Sequence, residues 1–500
     1  MGSDARRLVV GFSYSMLAGV LSSAFLYAAG LIVMRLLGPR EYGLYQLVFI
    51  IPGLLVPVLS FGIETTLVRF VSRFLVSEPE KGIRTARFLF FMRTSIAASA
   101  CLAVMASAPW LSKILGEDVT VGVQLAGLVL LANLLYLFMQ SYFQAFFLMR
   151  DRTIITAIFG ACYLVFVPVF IVAKASYLAP LGAFALSGFV AFGIGVMLAK
   201  RQQVNLLSRP SREGLHLTEQ LKFAAPTYLT LLLTAFFTQA GIILIRLAGM
   251  QVVEIGYFRA AYNIVTAGAI LAGVLNVVVL PYVSELEGKG STQTLRYFSG
   301  LIIRFLILVA TPAALGLMLV ARPLLSVLLP QYLPATAVMK VLCVMLVFFT
   351  LLAVTNTILT GVGRPLLVLA SDLLVMVVLL PAGFFLGNAW GVIGIAYAYV
   401  VAVLAGAAFS LVMIAKVVGL DLSPLFLGKV ALSTAAMAVV VHLWVELPEK
   451  PVMQVGIGIL LGILVYGAAV LLSRAMSHED VSVIRTTFGI ARGEGPEKRE

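Results

Sequence analysis

Charged side chains interrupt several long apolar stretches of this 500-residue sequence, and their chemistry is the first clue to function. The five of greatest interest are Glu64, Arg69, Arg93, Arg304 and Asp372. An ionisable group inside a membrane is costly, so it pairs with another group or with water and often marks the path of an ion or substrate. We expect the arginines to attract an anion. We expect the carboxylates to pair with a cation, to bind a coupling cation or to take up a proton.

The two carboxylates have alternative roles. Glu64 precedes Arg69 by five residues, so on one helix their side chains would point about 140° apart and would not pair. Glu64 would pair with a cation from another helix, take up a proton, or form a structural ion pair with no transport role. Asp372 lies about 12 Å beyond Arg364 along the helix axis. It would bind a coupling cation, pair with an arginine, or hydrogen-bond to a neighbouring helix as the protonated acid.

The buried arginines and amides also have two interpretations. Arg93 and Arg304 occupy matching positions in two apolar stretches, and they would either line a cavity from two sides or reach the headgroups as anchors. Five amide side chains would either face a polar substrate or join neighbouring helices by hydrogen bonds. These are Gln140, Gln144, Asn263, Asn276 and Asn356.

The composition indicates that transmembrane helices position these residues. Hydrophobic residues make up 61% of the chain and charged residues 11%, and the mean hydropathy is +1.07. A soluble protein carries about 25% charged residues. The apolar runs are roughly 20 residues long, as a helix needs to cross a bilayer. We therefore predict an all-α polytopic membrane protein with about fourteen transmembrane helices, at 10–34, 44–67, 88–111, 120–147, 153–173, 177–199, 223–245, 260–283, 297–320, 335–360, 365–386, 390–415, 425–445 and 452–473.

The distribution of positive charge predicts an orientation rather than a nucleic-acid partner. The net charge is +13, but the lysines and arginines form short clusters between apolar runs and no basic face. Most of these clusters fall on one side of the membrane when both termini are placed in the cytoplasm, as the positive-inside rule requires. We therefore expect a multi-pass protein with both termini cytoplasmic and no nucleic-acid partner.

An internal repeat divides the chain into two halves. The segment RLLGPREYGLYQ (35–46) recurs loosely as RLAGMQVVEIGYFR (246–259), and weaker matches at a nearly constant offset continue through later loops and spans. Six spans is an even number, so both copies enter the membrane from the same side, as in parallel-repeat transporters. We predict pseudo-symmetric six-helix lobes around a central cavity. Their bounds are 1–200 and 223–416, with a cytoplasmic linker at 201–222, two additional transmembrane helices in 417–473 and a cytoplasmic tail at 474–500.

Each copy of this motif combines a glycine turn with charged residues. The glycine permits the tight backbone turn at which a helix ends. Arg35 and Arg246, just before the turns, would reach the outer headgroups. Glu41 and Glu254 lie beside them and would form ion pairs of an outer gate, although exposed pairs contribute little stability.

The first motif, followed by an apolar run and then GIETTLVRFVSRF (62–74), resembles oligosaccharide flippases of the polysaccharide exporter family. That family belongs to the superfamily that also contains multidrug-and-toxin exporters and flippases of lipid-linked peptidoglycan precursors. The resemblance covers the whole chain, including the basic linker and the two additional spans. It implies two lobes in a V around a cavity. It also implies that a polyprenyl pyrophosphate-linked oligosaccharide is carried from the inner to the outer leaflet of the plasma (inner) membrane.

The resemblance assigns roles to individual parts of the chain. Arg69 would meet the pyrophosphate near the inner entrance or, alternatively, reach the inner headgroups. The two additional helices would help to shelter the lipid tail. We expect membrane lipids and the polyprenyl-linked oligosaccharide as partners, and we consider glycan-assembly enzymes as further ones. The alternative functions are a cation-coupled multidrug exporter of the same fold and an integral-membrane glycan polymerase.

The sequence lacks the signatures of several enzyme classes. It contains neither a P-loop nor an H-E-x-x-H motif, and its three cysteines have no metal-ligand spacing. The segments between the apolar runs are too short to hold a catalytic domain. We therefore expect no catalytic residues, no cofactor and no metal, and we predict that the protein is not an enzyme.

Overall fold

The computed structural model describes residues 2–201, 217–420 and 423–473, and every regular element in these ranges is a helix. This confirms the predicted all-α class. The predicted linker at 201–222 lies largely outside the described residues, and the predicted tail at 474–500 lies outside them entirely. A π-helical turn over Leu67–Val71 separates the second and third helices. The helices of the first half are α1 (Gly2–Ser60), α2 (Ile63–Thr66), α3 (Ser72–Ser77), α4 (Pro79–Ala106), α5 (Ala108–Leu115), α6 (Thr120–Ala145), α7 (Met149–Ala173) and α8 (Leu178–Arg201).

The second half repeats this series of helices and then continues beyond it. A 3-10 turn over Pro330–Ala335 lies between its short fifth helix and the long helix that follows. The helices are α9 (Leu217–Leu247), α10 (Val252–Ala267), α11 (Ile270–Gly288), α12 (Thr292–Leu319), α13 (Ala321–Leu328), α14 (Thr336–Gly361), α15 (Pro365–Val417), α16 (Pro424–Val445) and α17 (Pro451–Ser473).

Two helices are too long to cross a membrane once. The 59 residues of α1 and the 53 of α15 would extend about 80–90 Å, against about 30 Å of hydrocarbon. Each contains one glycine with non-helical backbone angles, Gly38 in α1 (φ 75°, ψ 172°) and Gly391 in α15 (φ 63°, ψ −145°). Gly38 lies between two predicted spans and Gly391 is the second residue of the predicted span 390–415, so in each case a kink at one residue replaces the loop that we expected.

Eleven helices among the described residues are long and apolar enough to span a membrane. The long α1 and α15 each count once in this number. The predicted span at 260–283 is not among the eleven, and in the structure Gly268 and Ala269 divide it between α10 and α11. The chain is thus a multi-pass helical protein, and the number fourteen stays a prediction.

The helix lengths establish the repeat more firmly than the residue matches do. Both α4 and α12 have 28 residues, both α5 and α13 have 8, and both α6 and α14 have 26. In the first two pairs, the first residues of the two helices are separated by the same number of residues along the chain. In the third pair this separation, or offset, is larger, because the second half contains the additional 3-10 turn. The larger offset also relates Phe147 (φ 58°) to Gly363 (φ 74°), each in the turn that follows the 26-residue helix.

The change of offset corrects the register of the later sequence matches. A constant offset between the sequence matches would make Gln144 the counterpart of Asn356. Alignment of the ends of α6 with those of α14 instead makes Gln140 the counterpart of Asn356. The corresponding partner of Asp372 is Thr156. Apolar helices tolerate such a slip in an alignment, because most of their neighbouring residues are similar.

The earlier helices need a smaller correction of the same kind. We expected Arg93 and Arg304 to occupy matching positions. The starts of α4 and α12 instead make Leu306 the counterpart of Arg93. The two arginines are therefore not equivalent positions of the repeat.

The contacts between Cα atoms divide the chain into two units. The first unit comprises Met1–Asn263, Leu328–Val338 and Asp372–Ala398. Its core is rich in aromatic side chains on α4, α6 and α7, and the rings of Tyr136 and Phe159 stack with centroids 4.6 Å apart. In this unit α1 packs against α7, and α6 packs against α4 and α8.

The second unit comprises Ile264–Val327, Met339–Ser371 and Tyr399–Glu500. In this unit α16 and α17 pack against each other and both contact α12. The hydroxyl of Tyr466 on α17 donates a hydrogen bond of 2.6 Å to the carbonyl oxygen of Leu308 on α12. The two additional C-terminal helices are therefore attached to the second half of the repeat. The predicted domain boundaries stay predictions.

Replacement of Gly391 by alanine should destabilise the protein. Its backbone angles lie where residues with a Cβ are strained by about 1–3 kcal/mol, and a Cβ added there would contact nothing within 4 Å. The loss should therefore come from the backbone alone. Thermal unfolding of the purified protein in detergent measures it.

The matched control is Gly193→Ala in the middle of α8. A Cβ at Gly193 also has no neighbour within 4 Å, but the backbone is helical, so alanine should be neutral or should stabilise by about 0.5–1 kcal/mol. A melting temperature for Gly391→Ala equal to or above that of Gly193→Ala would contradict this account of the α15 kink.

Candidate functional site

The predicted second span, 44–67, is interrupted in its second half, about three quarters of the way along it. The first helix ends at Ser60, and Phe61 (φ 42°) and Gly62 (φ 69°) both adopt left-handed backbone angles before α2 begins. A left-handed conformation is strained for phenylalanine. A break inside a membrane also leaves the last carbonyl groups of a helix without intrahelical partners, and these need other donors.

Arg93 on α4 supplies those donors. Its side chain is fully buried, and its Nη1 donates a 2.9 Å hydrogen bond to the carbonyl oxygen of Leu59, in the last turn of α1. Its Nη2 forms a salt bridge with Glu64 in the first turn of α2. Its Nε donates to the carbonyl oxygen of Leu134 on α6 at 3.3 Å. One guanidinium thus joins both sides of the break to two further helices.

This geometry selects between the interpretations of Arg93 and Glu64. Arg93 is enclosed by protein, so it is not an anchor for headgroups. Glu64 pairs with a cation from another helix, as one of its alternatives predicted. The guanidinium is engaged by one carboxylate and two carbonyl oxygens, so all of these contacts are within the protein. A substrate-binding role for Arg93 and a coupling role for Glu64 stay predictions.

A second buried guanidinium belongs to Arg259, which the sequence analysis did not select. Arg259 lies on α10 and is only 5% exposed. Its Nη1 donates to the carbonyl oxygen of Thr238 at 2.9 Å, its Nη2 to Oε1 of Gln239 at 2.9 Å, and its Nε to Oε1 of Gln46 at 3.2 Å. No carboxylate lies within 4 Å of it in the described part of the chain. All of its hydrogen-bond acceptors are therefore neutral.

Neutral polar groups extend this cluster around Tyr42. The buried hydroxyl of Tyr42 accepts hydrogen bonds from Nε2 of Gln46 at 3.0 Å and from Nδ2 of Asn263 at 2.8 Å. The guanidinium of Arg259 also lies 5.7 Å from the ring centre of Tyr262. A cation held only by neutral dipoles leaves a net positive charge inside the protein. Such a group favours the approach of an anion once it can be reached by water.

The amides of Gln140 and Asn356 form hydrogen bonds between helices. The Nε2 atom of Gln140 on α6 donates to Oγ1 of Thr156 on α7 at 3.1 Å. The Oδ1 atom of Asn356 on α14 accepts from Ser371 at 3.0 Å and from Ser410 at 2.8 Å, both on α15. Gln140 and Asn356 are equivalent positions of the repeat. Each half therefore uses an amide at this position to join its own pair of equivalent helices, α6 with α7 and α14 with α15. Contact with a sugar by these amides stays a prediction.

The remaining predicted residues within or near the spans differ in their exposure to solvent. Arg69, in the π-helical turn, is exposed, and its guanidinium lies 5.8 Å from the ring centre of Phe70. Gln144 near the end of α6, Arg304 on α12 and Asp372 on α15 are half-buried. Their roles in binding or coupling stay predictions.

The predicted outer turns contain different partners from those expected. Nη1 of Arg246 lies 3.8 Å from the carboxylate of Glu117, and Nη2 donates to the carbonyl oxygen of Leu115 at 2.6 Å. The carboxylate of Glu41 accepts a hydrogen bond from the backbone amide of Tyr177 at 2.8 Å. Arg246 thus pairs with Glu117 rather than with Glu254. The short loop after α5 brings Glu117 close to Arg246, and the sequence spacing could not indicate this approach.

Two further features belong to these turns. Arg35 is exposed and lines a cavity of about 270 Å³ with residues of the 3-10 turn, among them Gln331. Burial and the nearby carboxylates of Glu41 and Asp118 raise the pKa of Tyr177 above its ordinary value. A gating role for Arg35, Arg246, Glu41 and Glu254 stays a prediction.

A double-mutant cycle on Arg93 and Glu64 should reveal strong coupling. Arg93→Met alone leaves a buried carboxylate and the Leu59 carbonyl without partners, and we expect a loss of about 3–5 kcal/mol in the free energy of unfolding. Glu64→Gln alone leaves the guanidinium without its counter-charge. The double variant should lose less than the sum of the two single losses. Chemical unfolding in detergent measures each free energy, and additive losses would show that the pair does not hold the break together.

Comparisons with known proteins place this geometry in a family. Two solved structures similar in fold are the lipid II flippase MurJ in an inward closed conformation and an inward-facing multidrug resistance MATE transporter of the MOP superfamily. The first has a TM-score of 0.71 and 15% identity, over 92% of this chain and 99% of the flippase. The second has a TM-score of 0.66 and 16% identity, over 82% of this chain and 98% of the transporter.

A third similar structure is a MOP superfamily transporter from Pyrococcus furiosus, with a TM-score of 0.55 and 15% identity over 82% of this chain and 94% of that one. No curated protein matches this chain in sequence. These identities establish the fold. Residues 32–337, more than half of the chain, match the family model described as polysaccharide biosynthesis protein. The chain therefore belongs to the polysaccharide biosynthesis protein family.

Proposed function

We propose that this protein carries a lipid-linked oligosaccharide, a precursor of a cell-envelope polysaccharide, from the inner to the outer leaflet. The two halves of the repeat would alternate between states open to either side of a prokaryotic plasma membrane, with both termini in the cytoplasm. Family membership and the flippase fold support transport of a lipid-linked substrate. The observation that carries the choice of an anionic substrate is the buried, unneutralised guanidinium of Arg259.

The charge of the interior favours a diphosphate over a cationic drug. In the described part of the first unit, the side chains of Arg93 and Arg259 are buried and that of Glu64 is largely so. Arg93 and Glu64 neutralise each other, which leaves the charge of Arg259. A positive interior lowers the cost of bringing a diphosphate into a region of low dielectric constant and raises the cost for a cation.

A cation-coupled multidrug exporter is the second candidate, because its fold is also shared. The Pyrococcus furiosus transporter is described as having a binding pocket of reversed polarity, which suggests a different function for it. The sign of charge is thus the feature that separates the two functions on this fold. A membrane glycan polymerase would need a catalytic loop instead.

Ligand-induced stabilisation of the purified protein tests the substrate class. A polyprenyl diphosphate carrying a short oligosaccharide should raise the melting temperature, because a ligand that binds only the folded state stabilises it. The matched control is the same lipid with a neutral hydroxyl in place of the diphosphate, which should have a smaller effect. A larger shift with a lipophilic cation such as ethidium than with the diphosphate lipid would support the exporter instead.

The Arg69→Ala variant should slow delivery of the oligosaccharide to the outer surface. An exposed cation at the predicted inner end of the second span would attract the diphosphate. Loss of one charge-assisted contact of about 1.5–3 kcal/mol corresponds to a reduction of roughly ten- to a hundredfold in rate. The control is Arg84→Ala, which removes an exposed charge from the same predicted side. Normal delivery by Arg69→Ala at normal abundance would contradict the proposed contact.

The Asp372→Asn variant tests the coupling role of this half-buried carboxylate. Asparagine keeps the shape and a hydrogen-bonding oxygen but cannot bind a proton or neutralise a cation. We expect transport by the variant to lose its dependence on a proton or sodium gradient. A retained and unchanged dependence on both gradients would mean that Asp372 only joins helices.

A further inference from the structure

The two copies of the repeated motif touch each other through their glycines. Gly43 in the first copy corresponds to Gly256 in the second. A Cβ added to Gly43 would overlap the carbonyl oxygen of Val252 and lie 3.1 Å from its carbonyl carbon. One added to Gly256 would overlap the carbonyl oxygen of Pro39 and lie 2.8 Å from its carbonyl carbon. Pro39 and Val252 are related by the same offset as the two glycines, so the contact is reciprocal.

The polar residues beside these glycines follow the same relation. Gln46 and Arg259 share this offset of 213, and they are joined by the 3.2 Å hydrogen bond from Nε of Arg259 to Oε1 of Gln46. Three pairs of repeat positions therefore meet along one line of contact between α1 and α10. We call this contact the seam, and define it as Pro39–Gln46 with Val252–Arg259.

The glycines of the motif thus have two different physical functions. Gly38 and Gly249 have φ angles of 75° and 68° and form the turns that the sequence predicted. Gly43 and Gly256 lie inside helices and permit backbone contact between α1 and α10 without an intervening side chain. Small residues allow helices in a membrane to approach closely in this way.

We propose that the seam is the outer gate of the transporter, and that Arg259 is the positioning residue that sets how long the gate stays closed. This proposal rests on the proposed function, since a transporter that works by alternating access must separate its two halves on the outer side. The seam suits repeated opening, because flat backbone surfaces separate without withdrawing interlocked side chains.

The hydrogen bonds of Arg259 also suit a reversible contact. On parting, its guanidinium would lose Gln46 but keep Thr238 and Gln239, which lie on α9 in its own half. Opening therefore breaks one bond of the cation and leaves two. A neighbouring bond between α10 and α1, from Nδ2 of Asn263 to the hydroxyl of Tyr42, would break at the same time. The charge itself stays solvated by its own half.

Accessibility of a buried reporter tests the seam directly. The three native cysteines, Cys101, Cys162 and Cys343, are replaced in the full-length chain, and Ile255→Cys is introduced beside Gly256. Ile255 is fully buried, so a membrane-impermeant charged methanethiosulfonate should label it slowly in reconstituted vesicles. Gly43→Ala and Gly256→Ala should each raise the labelling rate by about tenfold or more, because the added methyl group would prevent the seam from closing fully in either variant. The matched control is Gly30→Ala in α1, whose added Cβ would contact nothing within 4 Å.

A second variant separates gating from folding. Gln46→Leu removes the bond across the seam and the hydrogen bond from Gln46 to Tyr42 within α1, and it leaves Arg259 with its two partners on α9. We expect about tenfold faster labelling, which corresponds to about 1.4 kcal/mol, with a melting temperature close to that of the parent. A merely structural bond would lower the melting temperature without exposing Ile255→Cys.

The outcomes distinguish this proposal from the proposed function. Unchanged labelling in both glycine variants and in Gln46→Leu, or an equal rise in Gly30→Ala, would overturn the gate, and the flippase proposal would stand if the parent still moved the oligosaccharide lipid. Faster labelling in the seam variants alone would support the gate, even if the purified protein transported a different substrate.

Discussion

The salt bridge of Arg93 with Glu64 is the interaction on which the first half of this protein depends. A membrane-spanning helix that breaks at Phe61 and Gly62 leaves backbone carbonyl groups without partners in a region without water. Arg93 satisfies the carbonyl oxygen of Leu59, and Glu64 in turn neutralises the buried charge of Arg93. The break and the buried charge therefore supply each other's partners.

The second half differs from the first at the equivalent positions. Its corresponding helix is interrupted at Gly268 and Ala269, and the position equivalent to Arg93 holds the buried Leu306. The buried cation of this half is Arg259, whose repeat position in the first half holds the neutral Gln46. Among the described residues, the duplicated fold therefore places its buried guanidinium groups at non-equivalent positions. Because the first half has a neutral glutamine at the position of Arg259, the repeated fold does not require this cation, and Arg259 is the better candidate for a function.

Much of the fold could be predicted from the sequence because the membrane imposes simple rules. Apolar runs of sufficient length predicted the helical class, and the repeated Arg-and-glycine motif predicted the duplication. The register of the later helices could not be predicted, because the additional 3-10 turn at Pro330–Ala335 contains no residue type that signals an insertion. Apolar helices then align almost equally well when shifted by one turn.

The candidate site was harder to predict than the fold. The salt bridge of Glu64 was among the alternatives, but its partner is distant in sequence and the pair depends on how α2 and α4 pack. Arg259 was assigned to a loop, because the predicted span began at residue 260 whereas α10 begins at Val252. Its repeat relation to Gln46 was the one signal that could have placed it inside a helix. The reciprocal contact of Gly43 and Gly256 needed coordinates, since a sequence gives no distance between helices.

The most direct test of the central claim is transbilayer movement of a lipid-linked oligosaccharide by the purified protein. Vesicles containing the full-length chain and a polyprenyl diphosphate oligosaccharide would be treated with an impermeant glycosidase that reaches only the outer leaflet. The account predicts that the protein makes the protected half of the lipid accessible much faster than in protein-free vesicles, and that a lipophilic cation does not compete. Unaccelerated movement of the lipid, together with accumulation of the cation by the same vesicles, would contradict it.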